Sequence, residues 1–214
     1  MTHRPTSRHG DQTLALLADP YRRLSRLFEQ AGADAFETRL ALKETICLRG
    51  REAARVFYDE ARISRAGAMP APVRRTLLGE GGVQGLDGEA HRARKRVFMS
   101  LMSPERIARL GELFEAEWRR AAVEWAGEED IVLYDALQPV LTRAVCAWAG
   151  VPLAPEEEAR RVRHLRALFD AAGSPGPRHL WSRHARRRVD AWLASIIEDI
   201  RAGRLSPDPE TASH

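Results

Sequence analysis

Apolar residues recur at helical spacing along most of this chain. In Thr13–Gln30, Leu14, Leu17, Tyr21, Leu24 and Phe28 return every three or four positions and predict one amphipathic helix. Phe36–Leu42 and Glu44–Leu48 follow as a short strand pair, and Glu52–Tyr58 as a helix with Ala53, Val56 and Phe57 inward. Ile63–Val83 carries Pro70, Pro72 and the start of the glycine-rich GEGGVQG, so irregular backbone is expected there. A helix opens after Asp87 and stops near Ser103-Pro104. Glu105–Trp125 predicts a long helix with Ile107, Leu110, Leu113, Phe114, Trp118 and Val123 inward. Ile131–Tyr134 is strand-like, Leu137–Trp148 is a buried helix, and Pro155–Ala172 and Trp181–Gly203 are two amphipathic helices separated by GSPGPRH. The whole predicts a mainly α chain with a small β element, without repeats or a domain-scale linker. A polar arm over 1–10 precedes the folded region at 11–204, and the polar tail at 205–214 is expected to fray.

The helix after Asp87 departs from simple amphipathicity. Ala90, Ala93, Val97 and Leu101 form an apolar stripe widened by Phe98 and Met102, while Arg92 and Arg96 point away from it. Asp87 stands at the N-cap position and Glu89 in the first turn, where negative charge is favoured. His91 and Lys95, four residues apart, lie along the border of the stripe, and Arg94 falls inside it. A cation at the edge of a core is costly unless it meets an anion there. The pattern therefore fits a flat amphiphile with an apolar body and carboxylates at its rim, as well as a half-buried helix whose cations reach outward to water.

Composition narrows the alternatives. The 214 residues are 44% hydrophobic and 30% charged, as in a folded globular protein. No apolar run approaches the roughly 20 residues a membrane span needs, and the N-terminus has no apolar signal region, so a cytoplasmic protein is expected. Cys47 and Cys146 are far apart and lack a C-x-x-C partner, which argues against a disulfide framework and a cysteine zinc site. His164, His179 and His184 have no i, i+4 spacing, so a zinc site on them is not expected. The net charge of +4 raises a nucleic-acid reading, but acids are interspersed with the arginines throughout, as in EEEARRVRHLR. Arg178–Arg188 is the strongest phosphate-binding segment, yet a solvated helix face anchored by Trp181 explains it more simply. GEGGVQG lacks the Lys-Ser/Thr of a P-loop and follows VRRTLL rather than a strand. Glu156–Glu158 sits just after Pro155, where a helix start favours acids.

The string GVQGLDGEAHRARKRVFMSLMSP resembles the C-helix region of the haem-thiolate cytochromes P-450 of the bacterial fatty-acid peroxygenase type. TICLRGREAARVFYD, AGAMPAPVRRTLLG, EAEWRRAAVEWA, CAWAGVPL, GPRH and IEDIRAG continue the resemblance in order, over essentially all of residues 10–204. It implies the N-terminal portion of a cytochrome P-450 fold ending before the distal helix, a haem b cofactor, and fatty-acid hydroxylation with hydrogen peroxide and no redox partner. By position it assigns haem-propionate contacts to Arg65, His91 and Lys95. Met69, Leu78, Phe169 and Ala172 match positions lining the alkyl-chain pocket, and Gln84 matches a position above the haem linked to hydroxylation over decarboxylation. Leu78 and Ala172 replace aromatic residues of some relatives.

The family's Arg-Pro pair, structural E-x-x-R and cysteine ligand loop belong to its second half, and none is found here. Glu157–Arg160 spells E-x-x-R but precedes the position of the distal helix. No catalytic residue and no metal ligand is therefore assigned to this chain. It is expected to be inactive alone, with a non-catalytic fragment and a basic nucleic-acid-binding module as the other readings.

Overall fold

The computed structural model describes residues 8–172, 174 and 176–211, so the first seven residues of the predicted arm and the last three of the tail lie outside the described residues. The chain divides into two compact units, Met1–Ser64 and Arg65–His214.

The first unit holds a three-stranded sheet with two helices before it in part and one after it. β1 (Arg8–Asp11) lies parallel to β2 (Ala35–Leu40), and β2 pairs antiparallel with β3 (Lys43–Leu48), Phe36 opposite Cys47. The predicted hairpin is present, and β1 is an addition drawn from the polar arm. The two residues of the tight turn, Ala41 and Leu42, both have positive φ, 50° and 63°. Such turns favour Asn-Gly, so the chain accepts local strain here to keep the register.

The single helix predicted over Thr13–Gln30 is two: α1 (Thr13–Ala18) and α2 (Arg23–Ala31). Pro20 disfavours helical backbone at Asp19, whose φ of −138° and ψ of 76° end α1. The break changes the packing face. Leu27, Phe28 and Phe36 form the core of the unit, with Phe28 and Phe36 edge to face at 4.7 Å, whereas Leu14, Leu17 and Tyr21 are exposed. Burying each core side chain stabilises the unit by about 1.5–3 kcal/mol. α3 (Arg51–Phe57) completes it, with Val56 and Phe57 exposed rather than inward.

The second unit is helical. α4 (Ala71–Leu77) begins immediately after its N-cap, Pro70, inside the stretch expected to be irregular, and Pro72 fits its first turn, where a missing N–H costs nothing. A short 3-10 turn (Val83–Gly85) leads into α5 (Gly88–Ser100). α6 (Pro104–Trp125) starts on a cap, the Ser103 hydroxyl accepting from Arg106 N–H. α7 (Leu133–Ala149) takes in the second half of the predicted strand at 131–134; Ile131 and Val132 precede the helix, and Pro139 lies within it. α8 (Pro155–Asp170) has Glu156, Glu157 and Glu158 in its first turn, and α9 (Pro177–Arg201) is the longest helix.

Packing in this unit concentrates on α6 to α9. Ser182, Ala185, Val189, Trp192 and Ile196 are the buried residues of α9, a three-four spacing that makes one continuous stripe. Ala167 and Leu168 of α8 meet Ala185 and Val189, and the Arg161 guanidinium lies 4.4 Å over the Trp192 ring. Leu205, at the start of the tail expected to fray, packs with Cys146, Trp192 and Ile196. Arg143 of α7 reaches Glu117 of α6 at 2.6 Å and also pairs with Glu158 of α8, so one guanidinium ties three helices. By contrast Ile107, Trp118 and Val123, expected inward on α6, are exposed. No helix among the described residues is long and apolar enough to cross a membrane.

Candidate functional site: the cationic entrance of helix α5

α5 buries little of its own surface. Its only buried residue is His91, 8% exposed. Val97 is 66% and Phe98 52% exposed, and Ala90 and Ala93 are exposed as well. The apolar stripe predicted to face the core is thus solvated; only Leu101 and Met102, past the helix, are half-buried. α5 is held by its first turns rather than along its apolar face.

Asp87 does much of the holding. It stands at the N-cap position, but its side chain does not cap α5. Instead its two carboxylate oxygens accept from the backbone N–H groups of Arg65, at 2.8 Å, and Ala66, at 2.9 Å. The Arg65 guanidinium lies 3.9 Å from the same carboxylate. The Asp87 carbonyl also accepts from His91 N–H at 3.3 Å. One residue thereby joins the loop bearing half-buried Arg65 to the turn bearing buried His91. Lys95 follows one turn later on the same side of the helix and is exposed.

The remaining cations of α5 are committed elsewhere. Arg92 and Arg96 pair with Glu89 at 3.1 and 3.2 Å, and those hydrogen bonds hold the Glu89 carboxyl below the usual range. Arg94, placed by periodicity inside the apolar stripe, donates to the Gly81 carbonyl and fastens α5 to the glycine-rich loop. That loop is shaped by arginines rather than by phosphate. Gly79 has φ of 78°, and a Cβ there would come within 2.4 Å of Arg186 Nη2. Arg186, from the segment weighed above as a phosphate binder, donates to the Leu77 carbonyl at 3.4 Å and pairs with Asp190 at 2.8 Å.

The residues matched to the alkyl pocket fall in two places, near α4 and the 3-10 turn and at the end of α8. Met69 is exposed just before α4, and Leu78 is half-buried at the end of α4, next to the Leu77 carbonyl that Arg186 grips. Gln84 sits exposed in the 3-10 turn with its amide folded toward Gly82, where a Cβ would meet Oε1 at 2.7 Å. Phe169 is 74% exposed in the last turn of α8, whereas Ala172 is buried just beyond it, its carbonyl 3.1 Å from His179 Nδ1. No hydrogen bond among the described residues joins Phe169 or Ala172 to Met69, Leu78 or Gln84.

Neither cysteine has the setting of a thiolate. Cys146 is buried against Trp192 and Ile196, and burial, reinforced by Glu158, pushes its pKa up to about 11. Cys47 on β3 is likewise raised by burial. Glu157, in the E-x-x-R string, pairs with Arg160 and with Arg161 on its own helix, which is a local pattern at a helix start.

No family model matches the chain. Solved structures do. A point variant of cytochrome P450SP alpha (CYP152B1) superposes with a TM-score of 0.90 at 61% identity, over 94% of this chain and 50% of that one. The same cytochrome in complex with (R)-ibuprofen gives 0.89, with the same identity and coverage. Cytochrome P450EX alpha (CYP152N1) with myristic acid gives 0.88 at 43% identity, over 95% of this chain and 49% of that one. The chain belongs with the CYP152 cytochromes P450. It corresponds to their N-terminal portion and spans about half the length of these relatives. Its helical unit with a small accompanying sheet is a partial P450 fold.

Proposed function

We propose that this chain forms the propionate-binding and substrate-channel part of a haem-dependent peroxygenase that hydroxylates fatty acids with hydrogen peroxide. The observation that carries the reading is the double hydrogen bond from the Arg65–Ala66 backbone to Asp87, which brings the Arg65 loop to the turn carrying buried His91. The donor set fits a pair of rim carboxylates: Arg65 offers a fork of N–H groups, His91 a ring nitrogen in a buried setting, and Lys95 a mobile ammonium. A neutral apolar ligand would have no use for these three groups.

When bound, haem supplies the redox-active iron needed to activate peroxide. The residues of this chain bind and orient. Arg65, His91 and Lys95 anchor the carboxylate edge of the cofactor, and Asp87 keeps Arg65 from swinging away. Leu78 and Ala172 shape the apolar path for an alkyl chain, Phe169 and Met69 flank it, and Gln84 carries a side-chain amide beside the glycine-rich loop. The exposed apolar face of α5, with Val97 and Phe98, is the surface that the assembled enzyme covers. Burial raises the pKa of both Cys47 and Cys146, so neither has the setting of an iron-binding thiolate, and on this reading the iron ligand and the group that would receive the substrate carboxylate are not among the residues assigned here. A cytoplasmic location is part of the same reading.

The test is haem titration of the chain by its Soret absorbance. Wild-type chain is expected to bind ferric haem and to show no thiolate-type Soret band in the reduced carbon monoxide adduct. Arg65→Ala, His91→Ala and Lys95→Ala should each weaken binding, by tenfold or more for His91→Ala. Binding unaffected by all three substitutions would overturn the assignment.

A further inference from the structure

A groove with an apolar floor and a cationic rim lies where α8 turns into α9. A groove of about 470 Å³ runs between the last turns of α8 and the first turn of α9. Ala167 and Ala171 form its floor, and Pro177 and the half-exposed ring of Trp181 form a wall. Small residues below and a flat ring beside them leave a slot wide enough for a hydrocarbon chain.

The rim is cationic, but its arginines are not alike. Arg166 is committed: it pairs with Asp135 at 2.6 Å and with Asp170 at 2.7 Å. Asp170 is saturated in turn, accepting from Tyr134 Oη at 2.5 Å as well as from Arg166, and these bonds hold its carboxyl below the usual range. Arg163 and Arg178 also line the groove, are exposed, and have no carboxylate within ion-pair distance among the described residues. α9 adds to the field. Its first turn contains no acidic residue and its N-cap, Gly176, contributes no side chain, whereas α8 opens on three glutamates. An apolar slot whose mouth carries two guanidiniums outside any ion pair, Arg178 lending only longer-range charge to Asp170, matches an alkyl carboxylate. Phe169 and Ala172 flank Asp170 and Ala171 in sequence, so the groove adjoins the residues assigned above to the substrate channel.

We propose that this groove binds a free fatty acid as a peripheral site, its carboxylate held by Arg163 and Arg178 and its chain lying over Ala167 and Ala171 against Trp181. In the choice of ligand class this rests on the fatty-acid reading above, but it involves neither haem nor Arg65, His91 or Lys95.

The experiment follows the Trp181 indole N–H by NMR in the chain without haem, its signal assigned by its loss in Trp181→Phe. Decanoate, kept below its micellar range, is titrated against 1-decanol, which has the same chain without the charge. The expected result is a saturable shift with decanoate, at least tenfold weaker with decanol, and at least tenfold weaker in the Arg163→Gln/Arg178→Gln double variant. Both arginines are exposed, so the variant should keep the fold, and an unchanged amide spectrum checks this. An indole signal unmoved by decanoate, or equal responses to acid and alcohol in both proteins, would overturn the proposal. Loss of haem binding with the decanoate response intact would count against the reading of α5 alone.

Discussion

α5 and the α8–α9 pair are made of similar material, rich in arginine and interrupted by apolar residues, yet they solve opposite problems. In α8–α9 the apolar stripes meet each other, and cations are placed over rings or against acids, as Arg161 is over Trp192 and Arg186 against Asp190. In α5 the apolar residues face solvent, and the one buried side chain is an imidazole. On the proposed reading, a helix that buries its polar donor and exposes its hydrocarbon presents that face to a surface beyond its own unit. On that reading the difference separates residues that hold this unit together from residues that would meet a ligand, and substitutions should separate them too.

The largest contrast is between Trp192 and Phe98. Trp192→Ala removes a buried ring from two packed helices and the platform for Arg161, and should cost about 3–5 kcal/mol in urea denaturation. Phe98→Ser on α5 should change stability by no more than about 0.5 kcal/mol, since the ring is largely solvated. Equal costs would erase the distinction drawn between the two regions.

Next is the ionic tie at Arg143. Glu117→Gln leaves a half-buried guanidinium short of a partner and should cost about 1–3 kcal/mol, less than a fully buried pair. Burial raises the pKa of Glu117, but hydrogen bonds from Arg120 and Arg143 outweigh it and leave the carboxyl below its ordinary value. A depressed carboxylate stabilises the fold above its unfolded pKa of roughly 4.5 and loses that contribution as pH falls through the folded value. Wild type should therefore lose more stability on acidification below that point than Glu117→Gln does.

Much of this contrast was legible in the pattern of residues. The stripes of α8 and α9 repeat over enough turns to be read directly, and the His91–Lys95 spacing marked the border position that the structure buries at His91. The stripe of α5 misled because periodicity identifies an apolar face without saying what covers it. Other elements were hidden for local reasons. Pro20 splits one apparent helix, and Pro70 starts one within a segment that looked irregular. β1 gains its order from pairing with a strand far along the chain, which its polar sequence does not announce. The hairpin turn at Ala41-Leu42 carries no Asn-Gly signal. Asp87 looked like an ordinary N-cap, and its bond to a loop more than twenty residues earlier is a tertiary contact that no spacing encodes.

A smaller effect sharpens the picture of α5. Asp87→Ala should release the Arg65 and Ala66 amides, speeding their hydrogen exchange by about tenfold or more while leaving α9 unchanged. The smallest belongs to α8. His164 is buried beside Trp181 and His184, and burial, with help from neighbouring cations, lowers its pKa. The folded state thus takes up its proton later than the unfolded state. Stability should decline as pH falls below roughly 6.5 toward the folded value, and His164→Gln should flatten that slope in denaturation curves between pH 7 and 5.

The most direct test of the central claim compares ferric haem with its dimethyl ester, in which both rim carboxylates are neutralised while the flat apolar body is kept. If Arg65, His91 and Lys95 form a carboxylate anchor, the chain should bind haem at least tenfold more tightly than the ester, and His91→Ala should shrink that ratio. Equal affinity for the two, unchanged by the substitution, would contradict the account.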